Sequence, residues 1–284
     1  MIFLDGFSEI AGRYDGFILN LWGVIHDGVT PYSGAVDCLQ RLQDVGKKCV
    51  LLSNAPRRAA AAQKMLRRMG IEDRLYTGIL TSGEVTHRML SERSSGNPWF
   101  AALGQRVFHL GPERDQNVLT GLNLELVGID EANFVLNTGP DDHRPPENIT
   151  AFEETLQACA RRSLPMICAN PDLEVIRGGK RIICAGALAA RYQQMGGDVQ
   201  SFGKPDPAIY QPVLEMLRTT RQATLAVGDS LRTDIAGAAA AGITSCWVLG
   251  GIHGDALGTD KARIASEAAE VGLSPVACMP SFVW

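Results

Sequence analysis

The chain has 284 residues, 45% hydrophobic and 20% charged, with a formal net charge of −4. That composition supplies a globular core, and its charge carries no basic field that would point to nucleic acid. No apolar run approaches the roughly 18 residues of a membrane span, and residues 1–14 lack the basic start of a secretory signal. The length suits one large domain or two modest ones. Cys38, Cys49, Cys159, Cys168, Cys184, Cys246 and Cys278 form no Cys-x-x-Cys pair. They read as buried reduced thiols of a cytoplasmic protein.

In chain order, residues 17–19 are an apolar run that meets Asn20, then Gly23 and Gly28. This reads as a buried strand opening into a loop. After a turn at 31–34, helical spacing predicts a helix over 35–45, followed by Gly46. Residues 49–52 predict a second strand, which ends in Ser53 and Asn54 before Pro56. The Ala-rich, basic stretch 57–69 predicts a helix closed by Gly70. Residues 79–83 repeat the pattern of strand and small polar residues, and a helix follows to about 92. Alternating strands and helices argue for a doubly wound parallel sheet.

Residues 94–98 break that rhythm and open a second unit. Strands are predicted over 106–110, 124–127, 133–136 and 165–169, with a helix over 150–160. Its separate α/β alternation marks an inserted domain. It closes with the loop Asn170-Pro171-Asp172 and the run Arg177 to Arg181. The first rhythm resumes with a helix over 187–195 and a loop over 203–207. There Asp206 is the expected N-cap and Pro207 the first helical residue. A strand over 224–229 ends in a carboxylate. A helix of small residues over 234–241, a strand over 244–249 and a helix over 261–271 complete the pattern. The expected division is a core of 1–103 and 183–284 around an insertion of 104–182.

Four polar sites thus stand at strand ends or in adjoining loops: Asn20, Ser53 with Asn54, Lys204, and Asp229 with Asp234. A parallel sheet delivers such positions to one edge. Taken in order, they resemble the four motifs of the haloacid dehalogenase-like hydrolases. Asn20-Leu21-Trp22-Gly23-Val24 is similar to the first, Asp-x-Asp-Gly-x-Leu/Val. Ser53-Asn54 is similar to the second, Gly203-Lys204-Pro205 to the third, and Gly228-Asp229 through Asp234 to the fourth. The insertion resembles the C2 cap. Thr81-Ser82-Gly83 and Asn170-Pro171-Asp172 look like features of the class IIA, NagD-like branch.

The resemblance implies an α/β core of Rossmann-like type with an α/β cap, and hydrolysis of a small phosphorylated metabolite, a sugar phosphate or a nucleotide. It implies that Ser53 and Asn54 bind the phosphoryl group and that Lys204 offsets its charge. It implies Mg²⁺ held by Asp229, by Asn20 and by the backbone carbonyl of Trp22, with Asp234 orienting a water or a neighbouring group. A homodimer is compatible with it. In the family the first motif's leading aspartate is the nucleophile and its second is the general acid/base.

Both carboxylates are replaced here. Asn20 is a poor nucleophile, though its amide oxygen can still meet Mg²⁺ or accept a hydrogen bond. Trp22 cannot transfer a proton, and His26 and Asp27 are the nearest groups in sequence that could. Otherwise His26, Asp27 and His253 read as loop or core residues. The expected behaviour is binding of phosphorylated ligands with very slow hydrolysis. The rival reading is a pseudoenzyme that binds such a ligand without turning it over. A third, the dehalogenase branch, works without the metal and does not account for the Asp229–Asp234 pair.

Overall fold

The computed structural model describes residues 1–92, 97–252 and 260–284. Most of the predicted break at 94–98, and His253, lie outside them. Ahead of the insertion come β1 (Ile2–Phe3), β2 (Gly16–Leu19), β3 (Lys48–Ser53) and β4 (Gly78–Thr81). The second unit holds β5 (Arg106–Leu110), β6 (Glu125–Leu126), β7 (Phe134–Asn137), β8 (Met166–Cys168), β9 (Glu174–Arg177), β10 (Lys180–Ile183) and β11 (Val199–Ser201). β12 (Thr224–Gly228), β13 (Thr244–Val248) and β14 (Ala277–Met279) follow.

The first sheet has seven strands in the order β1-β14-β13-β12-β2-β3-β4, parallel at every pairing. β2 lies between β12 and β3, with Leu19 level with Val227 on one side and Leu51 on the other. Every residue of β2 is buried, as a strand covered on both faces requires. Its side chains alternate between two cores. Phe17 and Leu19 join Phe7, Leu51 and Leu225 on one face. Ile18 joins Val50, Leu80 and Tyr210 on the other. Each such side chain stabilises the fold by about 1.5–3 kcal/mol on burial. The helix Ser82–Ser91 starts where Thr81 accepts a hydrogen bond from the Glu84 N–H, a side-chain N-cap.

The second unit carries a parallel sheet in the order β11-β8-β7-β5-β6 and a two-stranded hairpin, β9–β10. The run 177–181 spans the turn of that hairpin, with Gly178 and Gly179 between the strands. Gly178 and Gly179 both take positive φ there, a backbone conformation open to glycine. The expected boundary at 182 falls short. The helix Ala185–Gln194 buries Ala185, Leu188 and Tyr192 against Val135 and Met166 of the second sheet. β11 then pairs with β8, so this unit runs to Ser201. Amphipathic spacing shows that a helix has a buried face but not which sheet it covers. β1 and β14 pair with each other at the edge of the first sheet; both are too short to show a pattern. Among the described residues, no helix is long and apolar enough to cross a membrane.

Candidate active site

The carboxyl ends of β2, β3 and β12 bring Asn20, Ser53 and Asp229 to one edge, and the loop after β11 brings Lys204 to the same place. The Lys204 ammonium sits inside this edge, 3% exposed. It donates to Asn20 Oδ1 at 2.8 Å, to Asp234 Oδ1 at 2.6 Å and to the Leu52 carbonyl at 3.1 Å. These contacts use its three donors. The other oxygen of Asp234 accepts from the backbone N–H groups of Asp229 and Ser230, each at 3.1 Å. Asp234 is delivered by a π-helical turn, Leu231–Ile235, that runs into the helix Ala236–Ala240.

Asp229 is held from several sides. Its Oδ1 accepts from Asn20 Nδ2 and its Oδ2 from the Ile252 N–H, both at 2.9 Å. Its carbonyl accepts from Trp247 Nε1. A Cβ at Gly23 or at Gly251 would stand 2.1 Å from Asp229 Oδ2, so two loops close on this carboxylate only as glycine. Burial, and then repulsion from Asp234, push the Asp229 carboxyl up to about 7, against the opposing pull of the Ile252 N–H and Lys204.

The amide of Asn20 makes four contacts. Oδ1 accepts from Lys204 Nζ and from the Leu21 N–H at 2.9 Å. Nδ2 donates to the Trp22 carbonyl at 2.5 Å and to Asp229 Oδ1 at 2.9 Å. The expectation that the amide oxygen faces a cation is therefore corrected: two N–H donors hold it on the lysine side. A cation beside Asp229 and the Trp22 carbonyl would meet the amide nitrogen, which is not an oxygen ligand of the kind Mg²⁺ selects. With the side chain set this way, the expected donor set does not fit the ion.

Asn54 also departs from expectation. Its Nδ2 donates to Asp172 Oδ1 at 2.9 Å and to the Lys204 carbonyl at 3.0 Å. Its Oδ1 accepts from the Lys204 N–H at 2.8 Å and from Ser82 Oγ at 3.2 Å. An amide has two donors and two lone pairs, so this side chain has none free for a phosphoryl oxygen. It ties the loop after β3 to the loop around Asp172 and to Lys204. Ser53 is buried, and its Oγ accepts from the Ala55 N–H at 3.1 Å.

A cavity of about 630 Å³ opens over this edge. Asn20, Trp22, Lys204 and Asp229 line it on the core side, and Val175 and Ile176 of the β9–β10 hairpin on the other. A smaller space of about 240 Å³ shares Trp22, Asp172 and Val175 with it. Neither His26 nor Asp27 lines either one. His26 is fully buried, with Nδ1 accepting from the Gly28 N–H at 2.9 Å. Its ring meets Trp22 edge-on at 5.3 Å, and burial lowers its pKa to about 4. Asp27 accepts from the Thr30 and Val29 N–H groups, and the Thr30 bond is the main cause of its lowered pKa. Both residues build the loop. Asp172, Gly251 and the Ile252 N–H are parts of the site that sequence patterns did not mark as such, although Asp172 lies in a motif already noted.

A parallel α/β core that gathers a buried lysine and two carboxylates at its carboxyl edge, beneath an inserted α/β unit, defines a capped hydrolase of the phosphoryl-transfer type. More particularly, the chain belongs to the haloacid dehalogenase-like hydrolases, with the core and cap of class IIA. A family profile described as haloacid dehalogenase-like hydrolase matches residues 17–125, and a second, described as HAD-hydrolase-like, matches 201–271. The crystal structure of a haloacid dehalogenase-like hydrolase from Brucella suis 1330 is 32% identical. The match covers 99% of this chain and 100% of that one, with a TM-score of 0.84. The p-nitrophenyl phosphatase from Archaeoglobus fulgidus is 27% identical over 95% of this chain and 97% of that one, at a TM-score of 0.69. The glycerol phosphate phosphatase of Mycobacterium tuberculosis, solved in complex with calcium, is 25% identical over 89% of this chain and 72% of that one, at 0.62.

Proposed function

We propose that this chain binds phosphate monoesters of small metabolites at the carboxyl edge of its core sheet, and that Asn20 keeps their hydrolysis very slow. The observation that carries this reading is the buried Lys204 ammonium, held by Asp234 and directed at position 20. A fixed positive charge there offsets the charge of a phosphoryl group. Ser53, next in the chain to the Leu52 carbonyl that the lysine meets, is the hydroxyl this reading assigns to the phosphoryl group. A carboxylate at position 20 would attack phosphorus and form an aspartyl-phosphate as the ester P–O bond breaks, the ester oxygen leaving as an alcohol with a proton from solvent. Water would then cleave the aspartyl-phosphate to inorganic phosphate and the free carboxylate. An amide offers neither the charge nor the covalent route.

The relatives named above include phosphatases of p-nitrophenyl phosphate and glycerol phosphate, which supports a small phosphate ester as ligand. In this reading the Mg²⁺-dependent phosphatase is the Asn20→Asp form, with Asp229 and the Trp22 carbonyl on the ion. All seven cysteines are buried and free, which supports a reducing, cytoplasmic setting.

The test is phosphate release from a broad panel of esters, with Mg²⁺ present, by the parent and by Asn20→Asp. A gain of orders of magnitude is expected, provided solvent or another group takes over the proton transfer that Trp22 cannot perform. Fast release by the parent would remove Asn20 from the nucleophile position. A second reading, a binding protein with no turnover, is favoured by the closure of the Asn20 amide on four neighbours. No gain in Asn20→Asp would select it.

A further inference from the structure

We infer that the Asn20 side-chain nitrogen takes the place of a divalent cation in this chain, so that the site accepts a phosphate ester without metal. The inference rests on reading this edge as a phosphate-ester site. Two acceptors, the Trp22 carbonyl and Asp229 Oδ1, converge on one point from different loops. In this chain the group between them is Asn20 Nδ2, at 2.5 and 2.9 Å. An NH₂ group supplies two donors, one for each of these oxygens.

The orientation of the amide follows from its neighbours. Oxygen and nitrogen of an amide are assigned from their partners, and here all four partners agree. Lys204 Nζ and the Leu21 N–H can only donate, and both meet Oδ1. The Trp22 carbonyl accepts, as does Asp229 Oδ1, and both meet Nδ2. A half-turn of the amide would set its nitrogen against two donors and its oxygen against two acceptors, losing all four bonds. To give its oxygen to a cation, Asn20 would have to make that half-turn beside a buried ammonium. Lys204 is itself fixed by Asp234 and Leu52 and cannot move aside without breaking a buried ion pair. An aspartate at position 20 differs in sign. One carboxylate oxygen would keep Lys204 and the Leu21 N–H. The other would join Asp229 and the Trp22 carbonyl, making three oxygens that call for a cation between them.

The amide also leaves a site of different charge. With no cation added, Lys204 is the positive charge beside position 20, and Arg181 and Arg232 also line the cavity. The ligand class is therefore a phosphate monoester held as an anion by the charge of Lys204, with occupancy independent of Mg²⁺.

The experiment measures Mg²⁺ affinity by calorimetric titration of the parent, Asn20→Ala and Asn20→Asp. If the amide nitrogen blocks the ion, removing it helps. The expected order of affinity is Asp tightest, Ala next and parent weakest, with Asp and parent separated by about tenfold or more. Tighter binding by the parent than by Asn20→Ala would show the amide oxygen on the ion and overturn the inference. A second arm titrates inorganic phosphate into the parent in EDTA and in Mg²⁺. Dissociation constants within about twofold are expected; a loss of about tenfold in EDTA overturns the inference. This arm decides the matter if Asn20→Ala does not fold. No phosphate binding in either buffer would overturn both the metal-free occupancy and the phosphate-ester reading. The metal series needs no phosphate and no turnover, so it separates the two failures.

Discussion

Lys204 Nζ donates to Asp234 Oδ1 at 2.6 Å, with the two side chains only 4% and 6% exposed. A buried pair of this kind gains little over an apolar pair, but breaking it leaves an uncompensated charge. Asp234→Ala should cost about 3–5 kcal/mol in urea denaturation. It also frees the N–H groups of Asp229 and Ser230. A loss under about 1 kcal/mol would mean that the ammonium finds water when its partner goes.

Lys204→Met should weaken inorganic phosphate binding by about 2–5 kcal/mol if the ammonium and the anion are largely desolvated together. Stability and binding can be separated in one cycle. The double variant Lys204→Met, Asp234→Asn should recover stability relative to either single change, because neither member of this pair is left charged without the other. It should not recover phosphate binding. A dissociation constant equal to the parent's in either lysine variant would exclude Lys204 from the anion site.

Gly23→Ala should damage the site through Asp229. Gly23 has φ +81°, and an added Cβ would stand 2.1 Å from Asp229 Oδ2. Gly46 has φ +72° and nothing within 4 Å of its added Cβ, so Gly46→Ala reports the backbone cost alone, about 1–2 kcal/mol. The expected result is a clearly larger loss at 23 than at 46 on thermal melting. Equal losses would show that the loop yields and that Asp229 is not held by close approach.

Acid should destabilise the fold through two histidines. Burial lowers His26 and His109 to about 4 from an ordinary value of 6.5. Between those values the unfolded chain binds protons that the native chain refuses, so stability falls as pH drops from about 6.5 towards 4. Each is worth on the order of 3 kcal/mol by pH 4, at about 1.4 kcal/mol per unit. Asp229, raised to about 7, acts with the opposite sign over much of this range. The histidine share is therefore the difference between the parent and His109→Gln, which can keep the bond to Thr138. The variant's melting temperature should fall less steeply over this range. A parallel pair of curves would mean that His109 titrates as it does in water.

Much of the site was legible because its chemistry lies where strands stop. Asn20, Ser53 and Asp229 each end an apolar run, and a parallel sheet sends such ends to one edge. Lys204 was legible from its motif, though not from periodicity. The role of Asn54 was not, since its partners lie at 82, 172 and 204. No short-range pattern joins those positions. His26 carries a residue type suited to proton transfer, and only burial shows that its ring points into the core. The cap boundary failed for a related reason: Ala185–Gln194 has an ordinary amphipathic face, and the sheet it covers is set by contacts far away in sequence. The hairpin was missed because Glu174–Arg177 and Lys180–Ile183 are half-exposed four-residue strands with charged residues at their outer ends.

The late end of the cap has a mechanical meaning. β11 belongs to the second sheet and ends at Ser201, and only Phe202 and Gly203 separate it from Lys204. The other end of that short tether is anchored in the first sheet, where Asn54 grips the Lys204 N–H and carbonyl. The backbone of Lys204 is thus tied to both sheets within a few residues, so a shift of the second sheet against the first would be felt at the hydrogen bonds that place the ammonium.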